Sequence, residues 1–262
     1  MSDKVLQLYH NDSLLMNDAI DRIIVEIYGI KKKCNAKMFL LTGVGSSVGT
    51  TSVSINLAIA LASSGWKTLF IDCDMRKGTV YKRIGSDESD DIISLTEYLA
   101  PEDEQIQPDD IVNQTTYPLL NFITAGSGKD SPVRLLCNER MEKLISRLKD
   151  RYDYIIVDTP SINIVNDAEI LVPLMDRYIM VAAINSSTKR QLADAKETLL
   201  KYSDKYAGLI INRMDMHQYR KNIKDYDYFG KENLERKHGI DMRKIQRRKK
   251  EKTGKKAKSK AL

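Results

Sequence analysis

An apolar strand that runs into a loop of small residues, with a helix starting where the loop ends, constrains this chain more than any other feature. Residues 38–52 read M-F-L-L-T-G-V-G-S-S-V-G-T-T-S, a helix-like run follows, and residues 68–77 read T-L-F-I-D-C-D-M-R-K. Small residues let backbone N–H groups approach an anion at a helix N-terminus, so the stretch has the design of a phosphate cradle. The second strand ends in Asp72 and Asp74, which strand alternation places on one face. Two carboxylates beside such a cradle point to a divalent cation and a proton acceptor.

The loop departs from the pattern G-x-x-x-x-G-K-[ST], whose lysine reaches the outer phosphates. Gly49 matches the second glycine and Thr51 the hydroxyl that touches magnesium. Thr50 stands where the lysine belongs, and Val44, between Gly43 and Gly45, where the first glycine belongs. No lysine or arginine lies between Met38 and Trp66, so a one-residue slip does not restore the charge. Taken alone, the loop also reads as an ordinary Gly/Ser turn.

At 262 residues the chain can bury one large core or two small ones. With 42% hydrophobic and 30% charged residues it reads as soluble and globular, and no apolar run approaches the roughly 18 residues of a membrane span. The first residues lack the apolar core of a signal peptide. Cys34, Cys73 and Cys137 are isolated, without C-x-x-C, so neither a disulfide framework nor a zinc site is indicated and a reducing cytoplasm is expected. The net charge of +6 is an uneven average. Residues 236–262 carry 13 Lys/Arg against Asp241 and Glu251, while the rest holds 29 basic and 34 acidic groups.

In chain order, residues 1–36 form a helical segment, capped at Asn11, Asp12 or Ser13, with Met16, Ile20, Ile23, Ile24 and Ile27 at helical spacing. It packs on the body or serves as a docking helix. Beyond it, helices are expected over 52–64, 91–99, 133–151, 168–175 and 192–201. Strands are expected from 38 and over 67–71, 119–124, 154–157, 178–184 and 207–211, the last ending at Asn212. This alternation predicts one α/β domain over 37–217: a doubly wound, mostly parallel sheet with ligand at the strand C-termini. Residues 218–235 set Tyr219, Tyr226 and Tyr228 among charges, and 236–262 have the composition of a disordered basic tail.

Three strand ends converge on one site: the 43–51 loop, Asp72 with Asp74, and Asp158 at the end of I-I-V-D-T-P. By these motifs, by N-D-A-E-I-L-V-P-L-M-D and by the strand G-L-I-I-N-R-M-D, residues 39–215 resemble the bacterial tyrosine kinases of capsule and exopolysaccharide synthesis. The tyrosines beyond resemble that family's autophosphorylated tail. D-x-D-x-R after a strand is fairly specific to it; partition ATPases share the general fold without this motif. The resemblance implies a P-loop NTPase-like fold of the deviant Walker group that uses ATP and Mg2+.

It also implies roles. Asp72 orients or deprotonates the attacking tyrosine, Asp74 and Arg76 complete that edge, and Asp158 holds a magnesium-bound water. Thr51, with Asp72 and Asp158, forms the metal set. Gly45, Ser46, Ser47, Val48, Gly49, Thr50, Thr51 and Ser52 surround the phosphates, and Asn212 lies near the adenine. Tyr219, Tyr226 and Tyr228 are the candidate phosphoacceptors. The implied partner is a membrane-bound polysaccharide co-polymerase, met in the cytoplasm at the inner face of the membrane. A homo-oligomer is also implied, although Asp18, Asp21 and Ile24 occupy the positions of the family's E-x-x-R-x-x-R oligomerisation pattern. The basic tail is solvated or contacts anionic lipid; nucleic acid is not expected. Two classes follow: an autophosphorylating kinase, or a pseudokinase that regulates polysaccharide export by docking. A partition-type ATPase is a distant third.

Overall fold

The computed structural model describes residues 5–6, 14–76, 92–100, 105–126 and 131–214. The chain divides into Met1–Arg213 and Met214–Leu262, and the second unit lies outside the described residues apart from Met214. The tyrosine-bearing segment, the basic tail and the cap expected at 11–13 therefore fall outside them.

Among the described residues one sheet of eight strands forms: β1 (Val5–Leu6), β2 (Met38–Gly43), β3 (Thr68–Asp72), β4 (Asn113–Thr115), β5 (Leu120–Ile123), β6 (Tyr154–Thr159), β7 (Arg177–Ala183) and β8 (Tyr206–Asn212). Their spatial order is β1-β4-β5-β3-β6-β2-β7-β8. Every neighbouring pair is parallel except the β4–β5 hairpin. β2, β3 and β6 are buried along their whole length. Alternate residues feed two cores: Met38, Leu40, Leu69, Ile71, Ile155 and Val157 one, and Phe39, Leu41, Phe70, Tyr154 and Ile156 the other. Burial on both faces is why these strands read as unbroken apolar runs.

The second core is closed by α1 (Leu14–Cys34) and α2 (Thr50–Ser63). Residues Val53 to Ile59 of α2 are all buried, and Ile20, Ile24 and Ile27 of α1 lie in the same core. A helix apolar on all sides must be covered on all sides, and α1 supplies the outer cover. Ile24, at one of the oligomerisation-pattern positions, is thus a core residue. The first core is closed by α3 (Leu95–Leu99), α4 (Pro132–Leu136), α5 (Glu139–Lys149), α6 (Asp167–Leu171) and α7 (Lys189–Thr198). No described helix is long and apolar enough to cross a membrane.

Some expected elements change shape for local reasons. The helix expected over 133–151 is two, because Asn138 caps the second by accepting from the Arg140 N–H at 3.0 Å. The helix expected over 91–99 shortens to α3, which a Ser94/Glu97 capping box begins. The one expected over 168–175 passes after α6 into a 3-10 turn, Val172–Leu174, with a proline at its middle. The helix expected over 192–201 begins earlier, at Lys189, behind a Thr188/Gln191 capping box, and ends at Thr198. The helix expected from 52 begins at Thr50. β3 and β7 lie to either side of the β6–β2 pair, so the loops after β2, β3 and β6 meet above the switch in strand order, where such sheets bind ligand.

Candidate functional site

The loop between β2 and α2 is shaped by close approach. Gly49 has φ 86° and starts α2; a Cβ there would lie 2.4 Å from Asn212 Nδ2. A Cβ on Gly43 would meet Thr50 Oγ1 and Val48 Cγ2 at 2.8 Å each. Only glycine tolerates both demands. Two amide side chains hold the loop's carbonyls: Asn212 Nδ2 donates to Val48 at 2.9 Å and Asn163 Nδ2 to Val44 at 2.9 Å. Asn212, expected near an adenine, thus closes the end of β8 onto the loop.

Below the loop, Asp72 and Asp158 are partners in register on β3 and β6, both buried. Thr51 Oγ1 donates to Asp158 Oδ2 at 2.5 Å. Ser54 Oγ lies 2.9 Å from Asp158 Oδ1 and 3.0 Å from the Thr50 carbonyl. One hydroxyl proton serves one acceptor at a time. A protonated Asp158 removes the conflict by donating to Ser54, which then donates to Thr50. Burial, and next the charge of Asp72, push the Asp158 carboxyl up to about 8, against the opposing hydroxyl bonds. Burial and the same carboxylates raise the Cys73 thiol well above its ordinary range, so Cys73 is not a thiolate nucleophile.

Asp74 is not on the strand face expected for it. β3 ends at Asp72, the chain turns, and the Asp74 N–H donates back to Asp72 Oδ1 at 2.9 Å. Turning over its own carboxylate carries Asp74 and Arg76 to the wall of a cavity, while Asp72 stays beneath. Arg76 donates through Nε and a terminal nitrogen to both oxygens of Asp167, at 3.2 and 2.8 Å. The bond to Asp167 raises the Arg76 guanidinium above its ordinary range.

The cavity has a volume of about 330 Å³ and is walled by residues 45–51, by Asp74 and Arg76, and by residues following β6. Gly45, Ser46, Ser47, Val48, Gly49, Thr50 and Thr51 all line it. Ser52 is exposed on α2 and does not. Asp158 and Asp72 do not line it; Asp158 is joined to it through Thr51, and Asn212 sits behind the loop. Tyr219, Tyr226 and Tyr228 lie outside the described residues. Ser54, Asp167 and Asn163 are site residues that sequence reasoning passed over. Ser54 was legible, since it stands one helical turn after Thr51 and shares its face. Asp167 and Asn163 find their partners only in three dimensions.

A family model described as an AAA domain matches residues 44–188. Over 204 residues the chain is 31% identical to the tyrosine-protein kinase CpsD of Streptococcus agalactiae, spanning 77% of this chain and 85% of that one. The chain belongs to the bacterial tyrosine-kinase family. Two solved kinase domains share its fold. That of Escherichia coli ETK is 25% identical, with a TM-score of 0.67 over 76% of this chain and 77% of its own. That of VpsO is 27% identical, with a TM-score of 0.67 over 79% of this chain and all of its own. The architecture of this kinase-family chain is P-loop NTPase-like.

The family implies nucleotide and magnesium, and the residues present fit them. Thr51, Asp158 and Asp72 offer oxygen donors alone, the preference of a hard cation. Among the described residues no three of His, Cys, Asp and Glu gather into a metal cage. Magnesium usually takes part of its shell from water and phosphate, so a partial protein shell suits it. Ser161 Oγ, buried at the wall, has no hydrogen-bond partner among the described residues and is available to a ligand.

Proposed function

We propose that this chain binds a magnesium–nucleotide complex in the cavity and acts as a protein-tyrosine kinase of capsular or exopolysaccharide biosynthesis. The observation that carries the reading is the Thr51–Asp158–Asp72 set under the loop, a hydroxyl and two carboxylates where the phosphates of a nucleotide would end. Residues 45–51 would cradle the phosphates, and Thr51, Asp158 and Asp72 would hold the magnesium ion. That ion, when bound, would neutralise charge on the phosphates. Asp72 would accept the proton of a tyrosine hydroxyl as the phenolic oxygen takes the terminal phosphoryl group of ATP and ADP leaves. Tyr219, Tyr226 and Tyr228 are the acceptors in this reading. A membrane-bound polysaccharide co-polymerase is the partner, met by a cytoplasmic protein at the inner membrane face.

Thr50 supports a second reading. Electrostatic stabilisation of a transferring phosphoryl group is worth about two to three orders of magnitude for one well-placed donor. A chain that binds nucleotide through backbone donors and magnesium, yet transfers phosphate poorly, would regulate export by docking. Titration with ATP, with and without magnesium, followed by an anti-phosphotyrosine blot, separates the two. Magnesium-dependent binding with phosphotyrosine supports the kinase; binding without it supports the regulator; no binding overturns both.

A further inference from the structure

Arg76 is the only cation among the described residues that line the cavity. It reaches that wall because the turn after β3 carries it there, and it is held there by the Asp167 carboxylate. Asp167, at the first position of α6, is fully buried, whereas the Arg76 side chain is 37% exposed. A solvated arginine needs no buried acid. A buried acid that grips both Nε and a terminal nitrogen instead fixes the plane of the guanidinium. Asp167 occupies two of five N–H donors, which leaves the others for an anion in the cavity. A planar fork of this kind matches phosphate oxygens better than a point charge does.

We propose that Arg76, set in place by Asp167, supplies the phosphate-binding charge that Thr50 leaves out of the loop. The cavity then takes a nucleotide polyphosphate through a cation from the end of β3 rather than from the start of α2. The proposal rests on the nucleotide reading above and names the residue on which that binding depends. The rival is a staple: the same pair only ties the turn after β3 to α6.

The test uses the full chain and calorimetric titration with Mg-ATP. Removing Arg76 alone would strand the buried Asp167, so Arg76→Gln is combined with Asp167→Asn, which keeps a neutral hydrogen-bonded pair. The double variant is expected to bind about tenfold or more weakly, the scale of one charged hydrogen bond, with little change in melting temperature. Adding Thr50→Lys to it is expected to restore the affinity, because the charge returns at the other wall. Arg76→Lys, which keeps charge without the fork, is expected to fall between. Native-like affinity in the double variant would overturn the proposal and leave the nucleotide reading standing. A loss in Arg76→Lys as large as in the double variant, or no rescue by Thr50→Lys, would also overturn it, as a structural role would predict. If neither the native chain nor Thr50→Lys binds ATP, the nucleotide reading itself fails.

Discussion

Asp72 and Asp158 stand opposite each other in register at the C-terminal ends of adjacent parallel strands, and both are buried. Two carboxylates so placed do not both ionise easily in a medium of low dielectric. Asp158 gives way, with its carboxyl pushed up to about 8 by burial and then by the charge of Asp72. A cation set between them would remove that conflict, which is the electrostatic sense of placing the pair under a phosphate cradle.

A pH dependence follows. Between the ordinary value of 3.8 and about 8, folded Asp158 holds a proton that the unfolded chain has released. Stability contributed by this group is therefore complete below pH 3.8 and is lost as pH rises toward 8. The slope approaches about 1.4 kcal/mol per pH unit inside that window. Urea midpoints measured without magnesium should fall from pH 5 to 8 in the native chain, and Asp158→Asn should flatten that fall. Equal pH slopes in the two proteins would show that Asp158 does not carry a raised pKa.

Ser54 should matter more than a lone helical serine. It sits between Asp158 Oδ1 and the Thr50 carbonyl, and it is buried. Ser54→Ala leaves a buried carboxyl oxygen short of a partner, with an expected loss of about 1–3 kcal/mol. Chemical denaturation at pH 6 measures it; a change near zero would show that Thr51 alone satisfies the acid.

Gly49 and Asn212 form a pair that can be taken apart. Gly49→Ala brings two penalties: a left-handed φ of 86°, and a Cβ 2.4 Å from Asn212 Nδ2. Strain of the first kind is worth about 1–3 kcal/mol. Introducing Gly49→Ala into Asn212→Ala should remove the contact and leave the strain, so the glycine substitution should destabilise less in that background. A double-mutant cycle on urea stability reads the difference. The same loss in both backgrounds would mean that the side chain of Asn212 simply moves aside.

The sheet was legible because β2, β3 and β6 are buried on both faces, and such burial writes itself as unbroken apolar runs such as F-L-L and I-I-V. β1 and β4 were not legible. They are two and three residues long, β4 is the polar Asn113–Thr115, and β1 finds its partner β4 only in three dimensions. Asn138 and Ser94 carried local signals, a cap and a capping box, that a reading by apolar spacing passes over. At the site, the loop, Asp72, Thr51 and Asp158 announced themselves by type and spacing. Asp74 was misplaced because alternation was extended one turn beyond the end of β3. The Arg76–Asp167 pair joins residues 91 positions apart, and no local pattern reports such a contact.

The last prediction concerns Thr50, which begins α2, lines the cavity and stands where a lysine would reach the phosphates. If the rest of the site is formed, one ammonium completes its charge. Thr50→Lys should then strengthen Mg-ATP binding by about tenfold or more, from about 1.5–3 kcal/mol for a charged hydrogen bond. Phosphotyrosine should rise further than affinity does, because charge on the phosphoryl oxygens changes during transfer and a fixed cation acts most on that change. Asp72→Asn in the same chain should abolish the added activity, since it removes the proton acceptor and a magnesium ligand together. Replacing Tyr219, Tyr226 and Tyr228 with Phe should remove the phosphotyrosine signal and leave binding intact. Calorimetry and an anti-phosphotyrosine blot read both quantities. If Thr50→Lys binds nucleotide no better than the native chain, then either the loop does not present its N–H groups to phosphate or Arg76 already fills the role. The Arg76→Gln/Asp167→Asn variant distinguishes these: native affinity in it means the loop is at fault, and the docking regulator becomes the better account of the protein.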